Sequence, residues 1–245
     1  MLVPRPPHQA SELSRRIAAV DGVPIEAATV TTAPGDVEGL RVAVTRLHEG
    51  AYAGACLTSA NGVHALADAC AGADVDPGSA LRPLRLLGAV GPRTAALVRD
   101  RLGTEPTVVP ANATGASLGR AIPDGRGEVL LPRGDRATRD LDRALVAAGW
   151  TPDPVVAYRT VTADRLPPEV LADLAGGRVD LLAFTAASTV HGFVELVGDR
   201  PWSGRVVTIG PVTSAACREH GLGVAAEADP HDLDGLLAAL ERAAG

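Results

Sequence analysis

The chain contains no lysine, so all 23 of its basic side chains are arginine. Without a lysine amine there is no Schiff-base catalysis, no attachment point for pyridoxal phosphate and no Walker-type phosphate loop. The net charge of −6 also argues against a broad nucleic-acid-binding surface, because phosphate contacts need an excess of basic groups. These classes of protein are therefore disfavoured from composition alone.

Metal ligands and membrane segments are lacking as well. The three cysteines, Cys56, Cys70 and Cys217, form neither a CxxC pair nor a disulfide framework, and the six histidines show no HExxH-like spacing. No apolar run approaches the roughly 20 residues that cross a bilayer, and the first residues, MLVPRPPHQ, lack the apolar part of a signal peptide. We expect a cytoplasmic protein with no metal site and no membrane partner.

What the chain does contain is three sequence blocks that each occur twice, in the same order. The pairs are MLVPRPPHQASEL (1–13) with VLLPRGDRATRDL (129–141), LTSANGVHAL (57–66) with FTAASTVHGF (184–193), and LLGAVGPRTAALV (86–98) with VVTIGPVTSAACR (206–218). The repeat length of about 120–128 residues is that of a domain and too long for a solenoid. The pattern predicts a duplicated unit.

Short apolar runs alternate with amphipathic stretches along both halves, for example EVLLP, DLLAFT and TVV (107–109) between helical patterns. This alternation predicts α/β domains whose parallel sheets carry helices on both faces. Two Thr- and Val-rich segments broken by proline, 25–39 and 153–169, occupy matching places in the halves. We interpret them as the strands that leave one domain and enter the other.

Four predicted helices begin directly after a strand, in small polar residues. Asn61 and Ser188 are suitable N-caps, and the Gly-Pro-x-Thr stretches at 91–94 and 210–213 combine a tight turn with a first-turn proline. Unpaired first-turn amides can hold a carboxylate without lysine, although simple capping would explain the stretch around Asn61, or the one around Ser188, taken alone. Two domains with such edges facing each other would form a cleft for a large polyanion.

No catalytic apparatus is evident, since there is no GxSxG elbow and no nucleophile beside a base. His64 and His191 recur at matching positions inside helices, where packing or surface roles are common. Tyr158 lies at the end of an inter-domain segment, where its phenol could donate a proton. Plain strand packing is the alternative for it.

Six motifs in order, LTSANGV, AVGPRTAALV, LLPRG, AYRTV, FTAAS and TIGPVTSAA, resemble the uroporphyrinogen-III synthase family over essentially the whole chain. The resemblance implies two similar three-layer, flavodoxin-like α/β domains joined by a two-stranded connector. One would be discontinuous, 1–35 plus 164–245, and the other, 38–160, would be inserted in it.

The family's activity is implied in the same way. Members cyclise linear hydroxymethylbilane to uroporphyrinogen III, with inversion of ring D and loss of water, on the route to haem, sirohaem and cobalamin. They are cofactor-independent lyases, and the resemblance implies a monomer that meets the upstream deaminase transiently. A tetrapyrrole- or polyanion-sensing module of the same fold is the alternative. A third option is a two-domain small-molecule-binding protein.

The resemblance also assigns residues. Tyr158 matches the tyrosine that assists departure of the hydroxyl, and Ala186 and Ser214 depart from the family's usual serine and alanine. The implied substrate-binding positions are Arg5, Thr58, Ser59, Asn61, Gly91, Thr94, Thr185, Ala186, Ser188, Gly210 and Thr213.

Overall fold

Strands and helices alternate along most of the chain, as the repeated apolar and amphipathic stretches predict. The computed structural model describes residues 1–5 and 7–245, and for residues 7–11 the backbone only. Its elements are, in order, β1 (Leu2–Val3), α1 (Pro7–Ala19), β2 (Ile25–Glu26), β3 (Val30–Pro34), α2 (Val37–His48), β4 (Tyr52–Leu57), α3 (Ala60–Gly72), α4 (Pro77–Leu81), β5 (Leu86–Ala89), α5 (Pro92–Leu102), α6 (Gly115–Ala121), β6 (Glu128–Gly134), α7 (Asp140–Ala147), β7 (Thr151–Thr162), α8 (Pro168–Ala175), β8 (Leu181–Phe184), α9 (Ala187–Val197), β9 (Arg205–Thr208), α10 (Pro211–Glu219), β10 (Val224–Glu227) and α11 (Leu233–Ala244).

These elements form two compact units. Unit 1 comprises residues 1–31 and 160–245, and unit 2 comprises residues 32–159. The chain therefore leaves unit 1 after residue 31, builds unit 2 as one continuous stretch, and returns to unit 1 at residue 160. None of the helices in the described residues is both long enough and apolar enough to span a membrane.

Unit 2 is built on a sheet with strand order β3-β7-β6-β4-β5. Strands β7, β6, β4 and β5 are mutually parallel. Strand β3 runs antiparallel to β7, since the N–H of Gly35 donates to Ala157 O and the N–H of Asp36 donates to Val156 O. Five of the six residues of β4, an inner strand between β6 and β5, are buried. Helices α2 to α5 pack with apolar side chains against one face of this sheet. Helices α6 and α7 pack in the same way against its other face.

Unit 1 has a wholly parallel sheet of order β10-β9-β8-β1-β2. On one face, helices α8, α9 and α10 pack around Phe184 and Phe193, whose rings meet edge to face at 5.4 Å. Helices α1 and α11 cover the other face with Leu13, Ile17 and Leu236. The predicted α/β class, with two similar three-layer parallel-sheet domains, is confirmed.

One predicted strand is wrong. Residues 107–109 form no strand, and Val108 makes only an isolated bridge to Gly88. Proline at 106 and at 110 flanks this stretch. Because proline supplies no ladder N–H, the pairing cannot extend in either direction.

Candidate functional site

The predicted site residues lie where parallel strands end and helices begin. Helices α3 and α5 follow β4 and β5 in unit 2, and α9 and α10 follow β8 and β9 in unit 1. The carboxyl ends of parallel strands are the usual ligand-binding edge of an α/β sheet. Each unit thus brings two of the four predicted helix starts to one such edge.

The predicted caps of α3 and α9 are wrong by two residues. Ser59, not Asn61, caps α3, and its Oγ accepts a hydrogen bond from Gly62 N at 3.0 Å. Ala186, not Ser188, occupies the cap of α9 and offers no side-chain acceptor. Both helices begin earlier than predicted, because their strands end at Leu57 and Phe184; Asn61 and Ser188 therefore lie within the first turn.

The two Gly-Pro helix starts are built alike. Gly91 and Gly210 are the N-caps of α5 and α10, proline follows each, and among the described residues no side chain caps either helix. Thr94 and Thr213 are buried, 8% and 3% exposed. The groups these ends can present to an anion are therefore backbone amides rather than the threonine hydroxyls.

Tyr158 reaches the start of α3. It lies on β7, half-buried, and its hydroxyl donates to Ser59 Oγ at 3.1 Å. Ser59 Oγ thus accepts two hydrogen bonds, one from the Tyr158 hydroxyl and one from the Gly62 amide. This arrangement ties the candidate proton donor to a helix N-terminus, where negative charge is stabilised.

Gly134 allows Tyr158 to take that position, and sequence reasoning did not select it. The two residues are register partners on β6 and β7. A Cβ at residue 134 would lie 2.8 Å from Tyr158 Cζ and 3.0 Å from its hydroxyl oxygen, closer than real contacts allow. The glycine that ends the LLPRG motif was the available signal.

A cavity of about 550 Å³ adjoins Tyr158 within unit 2, on the face covered by α2 and α3. Asn61 and His64 line it from α3, and Arg41 lines it from α2. Arg41 Nε also donates to Glu38 at 2.8 Å, an exposed ion pair. This wall combines apolar surface with a few polar groups, as small-molecule pockets commonly do, and Arg41 was not anticipated from sequence.

Comparison with known proteins identifies the family of this chain. The family model described as uroporphyrinogen-III synthase HemD matches residues 11–238. The chain belongs to the uroporphyrinogen-III synthase family. The uroporphyrinogen-III synthase of Synechococcus elongatus is 29% identical over 64% of this chain and 63% of its own length, so the aligned part spans less than two thirds of that relative.

Solved structures agree on the fold. Uroporphyrinogen III synthase of Thermus thermophilus, in a mutant selenomethionine form, superposes with a TM-score of 0.61 at 23% identity, over 99% of this chain and 97% of that one. The uroporphyrinogen-III synthetase of Helicobacter pylori gives 0.58 at 16% identity, over 98% and 97% of the two chains. At these identities the likeness concerns the fold alone.

In this member of the uroporphyrinogen-III synthase family, Ser214 takes part in a buried polar network. Its hydroxyl is fully buried, lies 2.6 Å from Thr208 Oγ1 and donates to the Glu227 carboxylate. The three side chains connect β9, α10 and β10. Ser214 therefore belongs to a polar network of the unit 1 interior.

The remaining unit 1 positions follow β1 and β8. Arg5 and Thr185 are half-buried, and Thr29 Oγ1 donates to Pro4 O at 3.3 Å and Thr189 O at 3.0 Å. The buried Thr29 thereby links the residues before Arg5 to the first turn of α9. In the described parts of the chain, no group of three or more His, Cys, Asp or Glu side chains could hold a metal ion.

Proposed function

We propose that this protein cyclises linear hydroxymethylbilane to uroporphyrinogen III, with inversion of ring D and loss of water. Family membership over residues 11–238 supports the reaction class. The observation that carries the proposal is the hydrogen bond between Tyr158 and Ser59, at the carboxyl edge of unit 2 and beside a cavity. A phenol held there is available to a departing hydroxyl.

The proposed chemistry begins at ring A. Tyr158 gives its proton to the ring A hydroxyl, which leaves as water, and the substrate becomes a protonated azafulvene, an azafulvenium cation. The phenolate formed is stabilised by Ser59 and the first turn of α3. Ring D then attacks the methylene carbon of this cation through its substituted α-carbon and gives a spiro intermediate. The bond from that α-carbon to the methylene bridge of ring C breaks, and the released methylene recloses on the other α-carbon of ring D, which leaves ring D inverted. The phenolate recovers a proton when the macrocycle loses one.

Substrate binding in this proposal relies on backbone amides and arginine. The eight carboxylates of hydroxymethylbilane need many donors, and in the described chain three of the four helix starts carry no side-chain cap. Holding ring D against the azafulvene is then the dominant contribution to the rate acceleration, because correct orientation of the reacting groups removes most of the entropic barrier. No cofactor enters. The protein would work as a cytoplasmic monomer supplied by the upstream deaminase.

A coupled assay tests the reaction. Hydroxymethylbilane is supplied in buffer with chelator and no added cofactor, the products are oxidised, and the type I and type III isomers are separated. We expect type III from the protein and type I from the blank. Only type I from folded protein would contradict the proposal and favour the non-catalytic sensing module.

Tyr158→Phe tests the assigned proton donor, and Tyr52→Phe is its matched control. These are the only two tyrosines in the sequence, and Tyr52 begins β4, at the opposite edge of the same sheet. General acid assistance is worth about 10²–10⁴-fold; since this hydroxyl also leaves unaided, we expect about 10²-fold or less for Tyr158→Phe. Tyr52→Phe should keep the wild-type turnover. Equal turnover and isomer ratio in both variants would remove Tyr158 from the mechanism.

A further inference from the structure

A second, smaller cavity opens on the other face of the unit 2 sheet, at the same carboxyl edge. Its volume is about 220 Å³. The ends of β4, β5 and β6 contribute Thr58, Val90 and Arg133, and Thr138 closes it before α7. Pockets for whole drug-sized ligands are typically about 300–1,000 Å³. This space suits one carboxymethyl or carboxyethyl arm rather than a tetrapyrrole.

Arg133 is held rigidly at the wall of this cavity. Its side chain is 15% exposed, and its two terminal nitrogens contact both carboxylate oxygens of Asp142, at 2.5 and 3.0 Å. Nη1 also approaches Thr138 O at 3.4 Å. A guanidinium has five N–H donors, and across the described residues these contacts account for three. The guanidinium of Arg133 is thus oriented by Asp142, and two of its N–H groups remain to donate to a ligand.

The surroundings of Arg133 favour a bound carboxylate. Thr58, which precedes the cap of α3, adds a hydroxyl to the same cavity. Cys56 also lines it and stays a neutral thiol, because burial raises its pKa to about 12. Asp142 offsets much of the charge of Arg133, so the attraction for a ligand carboxylate comes from the N–H groups that Arg133 has left to donate. In the internal repeat, Pro132-Arg133 corresponds to Pro4-Arg5, so Arg133 is the unit 2 counterpart of a predicted substrate-binding arginine.

We propose that Arg133, oriented by Asp142, binds one carboxylate arm of the substrate in this cavity, with the Thr58 hydroxyl as a second donor. The identity of that substrate rests on the proposed function. Charge-assisted, geometrically fixed arginine contacts are the strongest carboxylate-binding hydrogen bonds available to a protein without lysine. Asp142 is a positioning residue, because it acts only through Arg133.

The test removes the charge and keeps the shape. Arg133→Gln alone would leave the Asp142 carboxylate, 17% exposed, without its counterion, so the double variant Arg133→Gln/Asp142→Asn is used. The control is Arg99→Gln/Glu105→Gln, which neutralises an exposed 2.8 Å pair of the same unit. We expect KM for hydroxymethylbilane to rise about 10–100-fold in the test variant, as loss of a charge-assisted contact predicts, with kcat changed less than about threefold. The control should match wild type.

Binding without turnover separates this proposal from the proposed function. The probe is uroporphyrin I, an octacarboxylate, titrated by tryptophan fluorescence into each folded variant. If wild type makes no type III isomer but binds the probe, and the test variant loses about tenfold in affinity, the reaction fails while the carboxylate site stands.

A wild-type KM and probe affinity in the folded double variant would overturn the site and leave the pair a structural salt bridge. Should the double variant not fold, Thr58→Val takes its place. It removes one hydroxyl and no charge, and a several-fold rise in KM is expected, with an unchanged KM counting against the site.

Discussion

Replacing Gly134 by alanine should misplace Tyr158 without disturbing the sheet. The added Cβ would lie 2.8 Å from Tyr158 Cζ, 2.9 Å from Cε2 and 3.0 Å from the hydroxyl oxygen. Ordinary carbon contacts are about 3.5–4.0 Å, so the ring must retreat by roughly 0.7–1.2 Å. Because Tyr158 is half-buried, its ring can move outward while β6 and β7 keep their register.

The expected consequences are a modest loss of stability and a larger loss of activity. Overpacking of this kind costs about 1–3 kcal/mol of unfolding free energy, and we expect the lower end because a side chain yields. The same movement breaks the 3.1 Å contact to Ser59. A misplacement of about 1 Å can cost about 10²-fold in rate, so type III formation should fall by about 10–100-fold.

The Tyr158→Phe background decides whether Gly134 acts through the phenol. Phenylalanine keeps the crowded ring atoms, so Gly134→Ala should still lower the urea midpoint there, yet cause no further loss of turnover. Gly223→Ala is the control, since its Cβ would meet nothing within 4 Å. Wild-type turnover and isomer ratio in Gly134→Ala, or a further tenfold loss in the Phe background, would refute the reasoning.

Two further predictions concern stability. Tyr52→Phe removes a phenol that donates to Asp153 at 2.5 Å and accepts from Arg46 at 3.0 Å. Burial, and after it the hydrogen bond to Asp153, raises the pKa of Tyr52 above its ordinary value. The phenol therefore stabilises the folded protein fully below about pH 10, where the unfolded phenol titrates, and this contribution is lost as the pH rises above that. The unfolding free energies of variant and wild type, measured by urea titration, should therefore differ by about 1–3 kcal/mol at pH 8. The difference should shrink as the pH rises above about 10, and a difference independent of pH would contradict this. Ser214→Ala should cost about 1–3 kcal/mol of unfolding free energy, because Thr208 and Glu227 lose their shared partner, while type III formation is kept; an unchanged urea midpoint would count against the network.

The fold class was predictable because its signals are local. Strands such as β8, LLAF, are buried at every residue, and a parallel sheet covered on both faces requires that kind of apolar run. The cap positions were not predictable from residue type, because Asn61 and Ser188 are good capping residues. What decided them was the residue at which β4 and β8 stop.

The site depended on contacts that are distant in sequence. The approach of Gly134 to Tyr158 follows from the β6–β7 register, which shifts between Arg133 and Gly134. The Arg133–Asp142 pair likewise arises from packing of α7 on the sheet. Sequence indicated which residue types the edge would contain, whereas pairing register and helix packing determined which of them meet.

The antiparallel pairing of β3 with β7 also has a consequence for synthesis on the ribosome. Strand β1 meets β2 early, since Leu2 pairs with Ile25. Its other partner is β8, through Leu182, and β1 waits about 180 residues for that strand, a long loop to close. Unit 2 is complete well before β8 emerges, and its Gly35–Ala157 hydrogen bond joins the two ends of the intervening stretch. The loop that remains is about 60 residues, which lowers the entropic cost of closure by about 1 kcal/mol. We therefore expect unit 2 to fold first during synthesis. Once folded, it holds residues 35 and 157 together and so shortens the loop that must close when β1 pairs with β8.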